Sequence, residues 1–355
     1  MQVGAGWQRD AHTNVGGRAR SRTSSAFGLT VSAQSGMPRV KRPASCGALL
    51  FWYDAAMDVL ILQGGTSGER EISLRSAAAV GAALQKAGHE VIEYDTQAGF
   101  EGILQYDVDA VFPILHGAGG EDGVVQQFLQ DHHLPYLGSG PQACRNSFDK
   151  AVFTDMLRQA GTPVPDGEAV DAEGFKQSKL ADQAFVLKPI DGGSSLDTFI
   201  VRDGDRSKVP GGIFTKYPQM LLEELIEGDE ITVGVLGDVA LPVIEIIPPE
   251  DGEFDYENKY NGKTQELCPP QHIDAEVQQR AQELSLKVHR LLGCCHMSRV
   301  DIMVDAQGEL HVLELNTIPG LTDQSLYPKM AQEYGLSMPE LMTTFVELVT
   351  GAQKR

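Results

Sequence analysis

The sequence predicts an α/β protein that opens on a small parallel-sheet domain and continues into two mixed α+β segments. Three observations carry this. From Met57 the pattern runs strand, helix, strand, with glycine-rich loops directly after strands. From residue 140 onward helices and strands mix without that alternation. Near the C-terminal end, "RVDIMVD" and "LHVLELN" flank the turn sequence "AQGE", which is a hairpin signature.

A chain of 355 residues is long enough for two or three domains, each with its own core. Its 42% hydrophobic and 22% charged residues are ordinary for a globular protein. The net charge of −20 argues against a nucleic-acid backbone as partner, because binding one needs a basic face. It leaves room for a small polyphosphate, which needs only a few local cations. The most apolar stretch, "GALLFWYDAAMDVLIL", is interrupted by Asp54 and Asp58, so no membrane span is predicted. The five cysteines are scattered without a C-x-x-C, which argues against zinc or a redox dithiol and fits a reducing, cytoplasmic setting.

Residues 1–56 differ from the rest. They hold seven basic and two acidic residues, a net of +5, which leaves −25 for the remainder. They are rich in Ser, Gly and Ala and lack periodicity, so no structure is predicted for them. The composition fits an organelle transit peptide or an upstream start. The second reading is favoured, with the working protein beginning at Met57, because a strand begins there at once.

From Met57 onward the elements follow in order. "DVLILQ" is a strand, "GGTSGERE" a Gly-rich turn, "SLRSAAAVGAALQKAG" a helix ending at Gly88, and "EVIEYD" a strand. "AVFPILHG" is the next strand and "DGVVQQFLQDHH" the next helix, which closes a first domain at 57–139. Its Gly-rich loops sit where open α/β sheets bind ligands, but neither is the G-x-G-x-x-G of dinucleotide binding. A second domain, 140–224, has the helix "DKAVFTDMLRQAG" and the strands "AFVLKP", "TFIVR" and "QMLLEEL", with the loop "IDGGSSLD" between the first two. A third, 225–355, begins with the strands "EITVGVLG" and "LPVIEI" and a polar stretch at 250–264. Its first helix carries an apolar stripe of Val277, Ala281, Leu284, Val288 and Leu291 and stops at Gly293. The hairpin follows, and the last helix opens on the capping box Ser337–Glu340.

Centring the hairpin turn on Gln307-Gly308 pairs Met303 with Val312, Asp301 with Glu314 and Arg299 with Asn316, all on one face. Val300, Ile302, Val304, Leu313 and Leu315 then face the core. Two carboxylates directly opposite each other destabilise a hairpin. Either water screens them at a solvated end, or they hold a hard divalent cation, which Asp, Glu and Asn oxygens suit.

Other residues invite chemistry. Lys188 ends a strand beside "PIDGGSS", and a lysine next to a glycine loop is what a polyphosphate needs. Lys150 opens a helix and by itself means nothing. Lys259 lies in "DYENKYNGK", either an ordinary surface loop or a lid over a reacting phosphate. "MLLEELIEGDE" offers backbone groups, an apolar shelf at Leu225 and Ile226, and a carboxylate, Glu230, for ribose hydroxyls; read alone it is equally a solvated acidic turn.

Together, Lys188 with "GGSS", "EEL…E" and "RVDIMVD…LELNTIPGLT" resemble the ATP-grasp superfamily. Within it, "LQGGTSGEREISL", "LHGAGGEDG", "PYLGSG", "FDKAVF", "NKY" and "GLTDQSLYP" resemble the D-alanine–D-alanine ligase family, over nearly everything from Met57 onward. The resemblance implies an ATP-grasp fold, with a Rossmann-like N-terminal domain and two α+β domains sandwiching ATP. It implies ATP-dependent joining of two D-alanine molecules for peptidoglycan precursor synthesis, by a cytoplasmic homodimer using two Mg²⁺ (or Mn²⁺). By motif match, Asp301, Glu314 and Asn316 are metal ligands. Lys150, Lys188 and Lys259 meet phosphates, and Glu223, Leu225 and Glu230 meet the nucleoside. Arg299 and the Gly320 N–H match the oxyanion donors. Glu69 matches the ammonium site and His116 the carboxylate site of the first D-alanine. Ser194 and Tyr260 match partners of Glu69 and the 250–264 loop. Ser325 and Leu326 match the site for the second D-alanine, at the start of a helix expected near Thr322, where free N–H groups bind carboxylates.

The chain departs from the family pattern at Gly192, where Glu is usual, and at Asp197, where Gly is usual; Asp197 adds negative charge to a loop meant to meet phosphate. Glu224 stands in place of a common Lys. His296 replaces a Gly in the "GCxG" run, and nothing in the sequence accounts for it. Tyr260 favours an amine over a hydroxy-acid acceptor. The intact Lys188, Arg299, Asp301, Glu314 and Asn316 argue against an inactive relative.

Overall fold

The computed structural model describes residues 56–193, 196–249 and 264–351. The expectations for residues 1–55, Ser194, Lys259 and Tyr260 lie outside them. Three sheets organise the described chain.

The first has the order β2-β1-β3 and is parallel, from β1 (Asp58–Gln63), β2 (Glu90–Asp95) and β3 (Ala110–Pro113). Val59, Leu60, Ile61 and Leu62 are all fully buried, because crossover helices cover both faces of a parallel sheet. One cover is α1 (Arg70–Lys86), through Ala77, Val80 and Leu84; α2 (Val124–Asp131) follows β3. The start of α1 lies three residues ahead of the expected Ser73. Glu69 is its N-cap and Glu71 sits in its first turn, where acids complement the helix dipole.

α3 (Pro141–Phe148) and α4 (Lys150–Gln159) lead to the second sheet; the Asp149 side chain accepts from the Val152 N–H and caps α4. This sheet is antiparallel, in the order β4-β7-β5-β6: β4 (Gly167–Val170), β5 (Phe185–Pro189), β6 (Phe199–Val201) and β7 (Met220–Glu224). α5 (Ala172–Gln177) and α6 (Ile213–Lys216) pack Phe175 and Ile213 into its core with Phe185, Leu187 and Leu222. Alternation along β5 buries Phe185 and Leu187 and turns Val186 and Lys188 to the other face.

The third sheet has the order β11-β10-β8-β12-β13, with β9 beside β8: β8 (Gly228–Leu236), β9 (Val239–Ala240), β10 (Ile244–Ile247), β11 (Gln265–Leu267), β12 (Met297–Asp305) and β13 (Leu310–Asn316). The expected pairs Arg299↔Asn316 and Asp301↔Glu314 are present. Beyond them the register shifts: Met303 faces His311 rather than Val312. The irregularity lets Val312 enter the core and leaves Leu313, expected in the core, half-buried on the cleft side.

α7 (Ala275–Leu291) buries Ala281, Ser285 and Val288, and Leu292 continues that face. The expected Leu291 lies one residue off it and is exposed. α8 (Leu326–Glu333) starts four residues later than expected. Thr322 to Ser325 form a turn, with the Ser325 N–H on the Thr322 carbonyl at 2.9 Å, and Ser325 is extended. α9 (Met338–Gly351) has its expected cap: the Ser337 N–H donates to Glu340 Oε2 at 2.8 Å. Both helices pack on the first sheet, where Phe345 meets Phe112 edge-on at 6.5 Å and stacks on Tyr327 at 6.2 Å. Among the described residues no helix is long and apolar enough to cross a membrane.

His296 gains an account here. It sits at φ +60°, a conformation His tolerates better than most residues. Its carbonyl accepts from the Gly237 N–H at 2.8 Å and its Nδ1 from the Gly138 N–H at 3.1 Å, tying two distant loops.

Candidate active site

Three glycine-rich loops converge on one side chain. Glu69 ends the loop after β1. A Cβ on Gly117, in the loop after β3, would lie 2.6 Å from Glu69 Oε2, and one on Gly193, in the loop after β5, would lie 3.5 Å from it. Gly117 also has φ +72°, so glycine is required there on both counts. The loop carrying Glu69 is braced from below. Arg70 forks onto Asp95 at 2.9 and 2.5 Å and donates to the Gly65 carbonyl at 3.1 Å. A Cβ on Gly64 would collide with both side chains.

These loops form one end of a cleft of about 630 Å³ between the second and third sheets. Lys150, Lys188, Glu223, Leu225, Glu230, Asp301 and Glu314 all line it. Lys188 Nζ pairs with Glu223 Oε2 at 2.6 Å, and both side chains are nearly buried. Lys150 donates to the Gly192 carbonyl at 2.5 Å. Val186, Ile226, Met303 and Leu313 add apolar walls. A smaller cavity beside it is lined by Glu121, Lys150, Glu314 and Asn316. Glu224, at the cleft rim, accepts from the Asp166 N–H at 3.0 Å, so its side chain serves β4 rather than standing in for a lysine.

On the hairpin, Arg299 forks onto Asp301, Nε to Oδ1 at 2.9 Å and Nη2 to Oδ2 at 2.8 Å. Asp301 also accepts from the buried Thr232 hydroxyl at 2.6 Å and from Asn316 Nδ2 at 3.3 Å. Among the described residues no three His, Cys, Asp or Glu side chains form a metal cage. The donor set here is instead two carboxylates and an amide, all hard oxygens. It suits Mg²⁺ or Mn²⁺, and the opposed Asp301–Glu314 pair leaves negative charge for a cation to offset.

The electrostatics are those of buried, closely spaced charges. Burial works against the Arg299 charge, but Asp301 more than offsets it and raises the guanidinium pKa. Burial, with Arg299 nearby, lowers His116 to about 4, so its imidazole is neutral; Nε2 lies 3.4 Å from the Ser76 hydroxyl. Burial pulls the Lys150 ammonium below its usual range, and Glu314 opposes this. Burial and the Glu69 charge push the Glu121 carboxyl up to about 8, although it accepts from the Gly117 N–H at 2.7 Å.

Gly320, Ser325 and Leu326 form a separate cluster outside the linings of these two cavities. Ser325 Oγ accepts from the Thr322 N–H at 3.1 Å, and a Cβ on Gly320 would meet that oxygen at 2.8 Å. Sequence reasoning missed Glu121 and Thr232. The "HGAGGEDG" motif contained the first; nothing marked the second.

Known proteins resemble this chain. The family model described as "D-ala D-ala ligase C-terminus" matches residues 156–347, and "D-ala D-ala ligase N-terminus" matches residues 94–139. The D-alanine–D-alanine ligase of Xanthobacter autotrophicus is 40% identical, over 82% of this chain and 98% of its own. That of Nitratidesulfovibrio vulgaris is 39% identical, also over 82% and 98%. Among solved structures, a D-alanine–D-alanine ligase from Bacillus anthracis superposes with a TM-score of 0.75 at 30% identity, over 84% of this chain and 99% of that one. A structure from the same organism complexed with ATP gives 0.73 at 28% identity, over the same shares. With the glycine loops, the paired lysine and the Asp301–Glu314 pair meeting in one cleft, the chain belongs to the D-alanine–D-alanine ligase family.

Proposed function

We propose that this cleft joins two D-alanine molecules at the expense of ATP. A carboxylate is a poor electrophile, so its oxygen must first become part of a leaving group. Transfer of the γ-phosphoryl group to the first D-alanine gives an acyl phosphate and ADP. The amine of the second attacks that carbonyl, and the tetrahedral intermediate expels inorganic phosphate as the peptide bond forms and the amine loses its protons.

The chain's residues suit these tasks. Glu69 meets the ammonium of the first D-alanine, and neutral His116 donates its ring N–H to the carboxylate without adding charge. Lys150 and Lys188 hold phosphate oxygens, and Glu223, Leu225 and Glu230 hold the nucleoside. Arg299 stabilises the oxyanion, a donor whose loss typically costs about 3 kcal/mol of barrier. The Gly320 N–H joins it, and Ser325 and Leu326 receive the second carboxylate at the start of α8. Asp301, Glu314 and Asn316 would hold Mg²⁺ or Mn²⁺, which neutralises charge on the phosphates when bound. By resemblance, Lys259, Tyr260 and Ser194 complete the site. The three sheets support a division at 57–139, 140–224 and 225–355. The same reading makes the protein a cytoplasmic homodimer acting on small molecules, not on nucleic acid or membrane.

The observation that carries the reading is the convergence of three glycine loops, Lys150, Lys188 and the Asp301–Glu314 pair on one cleft. The test is phosphate release with ATP and Mg²⁺. It is expected only when D-alanine is added; release with L-alanine alone, or none at all, rejects it.

A further inference from the structure

Asp197 closes the loop between β5 and β6, and its neighbours Leu196 and Thr198 line the cleft. It holds φ +56°, a conformation that costs a non-glycine residue energy and persists when the surroundings enforce it. What enforces it is visible. Oδ2 accepts from the Lys216 ammonium at 2.5 Å and from the Tyr217 hydroxyl at 2.7 Å. Lys216 ends α6, on a different segment of the second sheet's surround, and its Nζ also lies 4.9 Å from the Tyr217 ring centre. Tyr217 itself lines the cleft. The carboxylate is therefore turned onto a cation and a hydroxyl, and its charge is met locally. These partners hold its pKa below the usual carboxylate range, so it stays ionised at neutral pH.

We propose that Asp197 is a positioning residue for the nucleotide: latched to Lys216 and Tyr217, it holds its neighbours Leu196 and Thr198 in place as a wall of the cleft. The inference rests on the cleft being the ATP site, and it gives a partner to the negative charge that the sequence sets in this loop. A cleft wall already held in place binds the nucleotide with less ordering cost. A bare negative charge near phosphate would do the opposite.

The two ideas differ in sign. Asn tolerates the same φ, so Asp197→Asn removes the charge and weakens the latch without new backbone strain. Asp197→Gly removes the latch entirely. Steady-state kinetics of the full chain with Mg²⁺ should show KM for ATP rising about fivefold in Asp197→Asn and further in Asp197→Gly. KM for D-alanine should stay near that of the parent. Tyr217→Phe should raise KM for ATP on its own, and Asp197→Glu should restore part of the loss. A KM for ATP that falls, or does not change, in Asp197→Asn overturns the latch. Absence of D-alanine-dependent phosphate release in the parent protein would instead overturn the ligase reading.

Discussion

Asp301 accepts hydrogen bonds from Arg299, Thr232 and Asn316 while facing Glu314 across the hairpin. A carboxylate so fully engaged has one orientation, which suits a group that must present oxygen at a fixed point. On the proposed reading Glu314 is the second carboxylate of the metal site, so Glu314→Gln should reduce turnover by about a hundredfold or more, with the melting temperature shifted by no more than about 3 °C. Phosphate release and a thermal melt on the same sample check both. At this scale the sequence was informative where residue type and spacing limit the chemistry. Arg299, Asp301, Glu314 and Asn316 alternate along two strands, so pattern alone set them on one face. Thr232 was illegible because a threonine in a strand is ordinary; only the pairing of β8 with β12 brings it to Asp301. The second D-alanine site was assigned by motif, and the described cleft does not include it.

The elements show how local rules position the site and where they give out. A capping box marked the start of α9, and alternation set the faces of β12. It failed inside β13, where a register irregularity sends Val312 to the core and Leu313 to the cleft. A period of two cannot anticipate an extra residue. α3, β4, α5, α6, β9 and β11 also escaped, since pieces this short carry too few periods to stand out. The loop before α1 yields a prediction of its own. Arg70 and Asp95 brace the backbone that aims Glu69, and neither lines the cleft. Arg70→Met or Asp95→Asn should therefore raise KM for D-alanine about tenfold and leave KM for ATP nearly unchanged. Parallel titrations of the two substrates would decide this; equal changes in both would mean general loosening.

Across the whole molecule, buried histidines set the acid limit. Burial lowers both His116 and His289 to about 4, and His289 Nδ1 lies 2.7 Å from the Ser298 hydroxyl. In the unfolded chain each titrates near 6.5. Folded pKa values below unfolded ones mean the unfolded state binds more protons under pH 6.5. This contribution to stability is therefore complete above that pH and is lost progressively as pH falls towards 4. Urea midpoints should drop between pH 6.5 and 4.5, and His289→Gln should flatten the drop. Midpoints that hold steady across that range would mean the imidazoles are not neutral in the native protein.

The aromatic contact between Phe112 and Phe345 has a consequence for how the chain is made. The first sheet is translated well before the helix that seals its flank. Val59, Ile61 and Leu84 share one cluster with Phe345 and Val349, so their seal depends on residues translated almost 300 positions later. Until then the nascent N-terminal half carries an unsealed apolar surface, and a ribosome stalled before α9 would hold a chain that chaperones recognise.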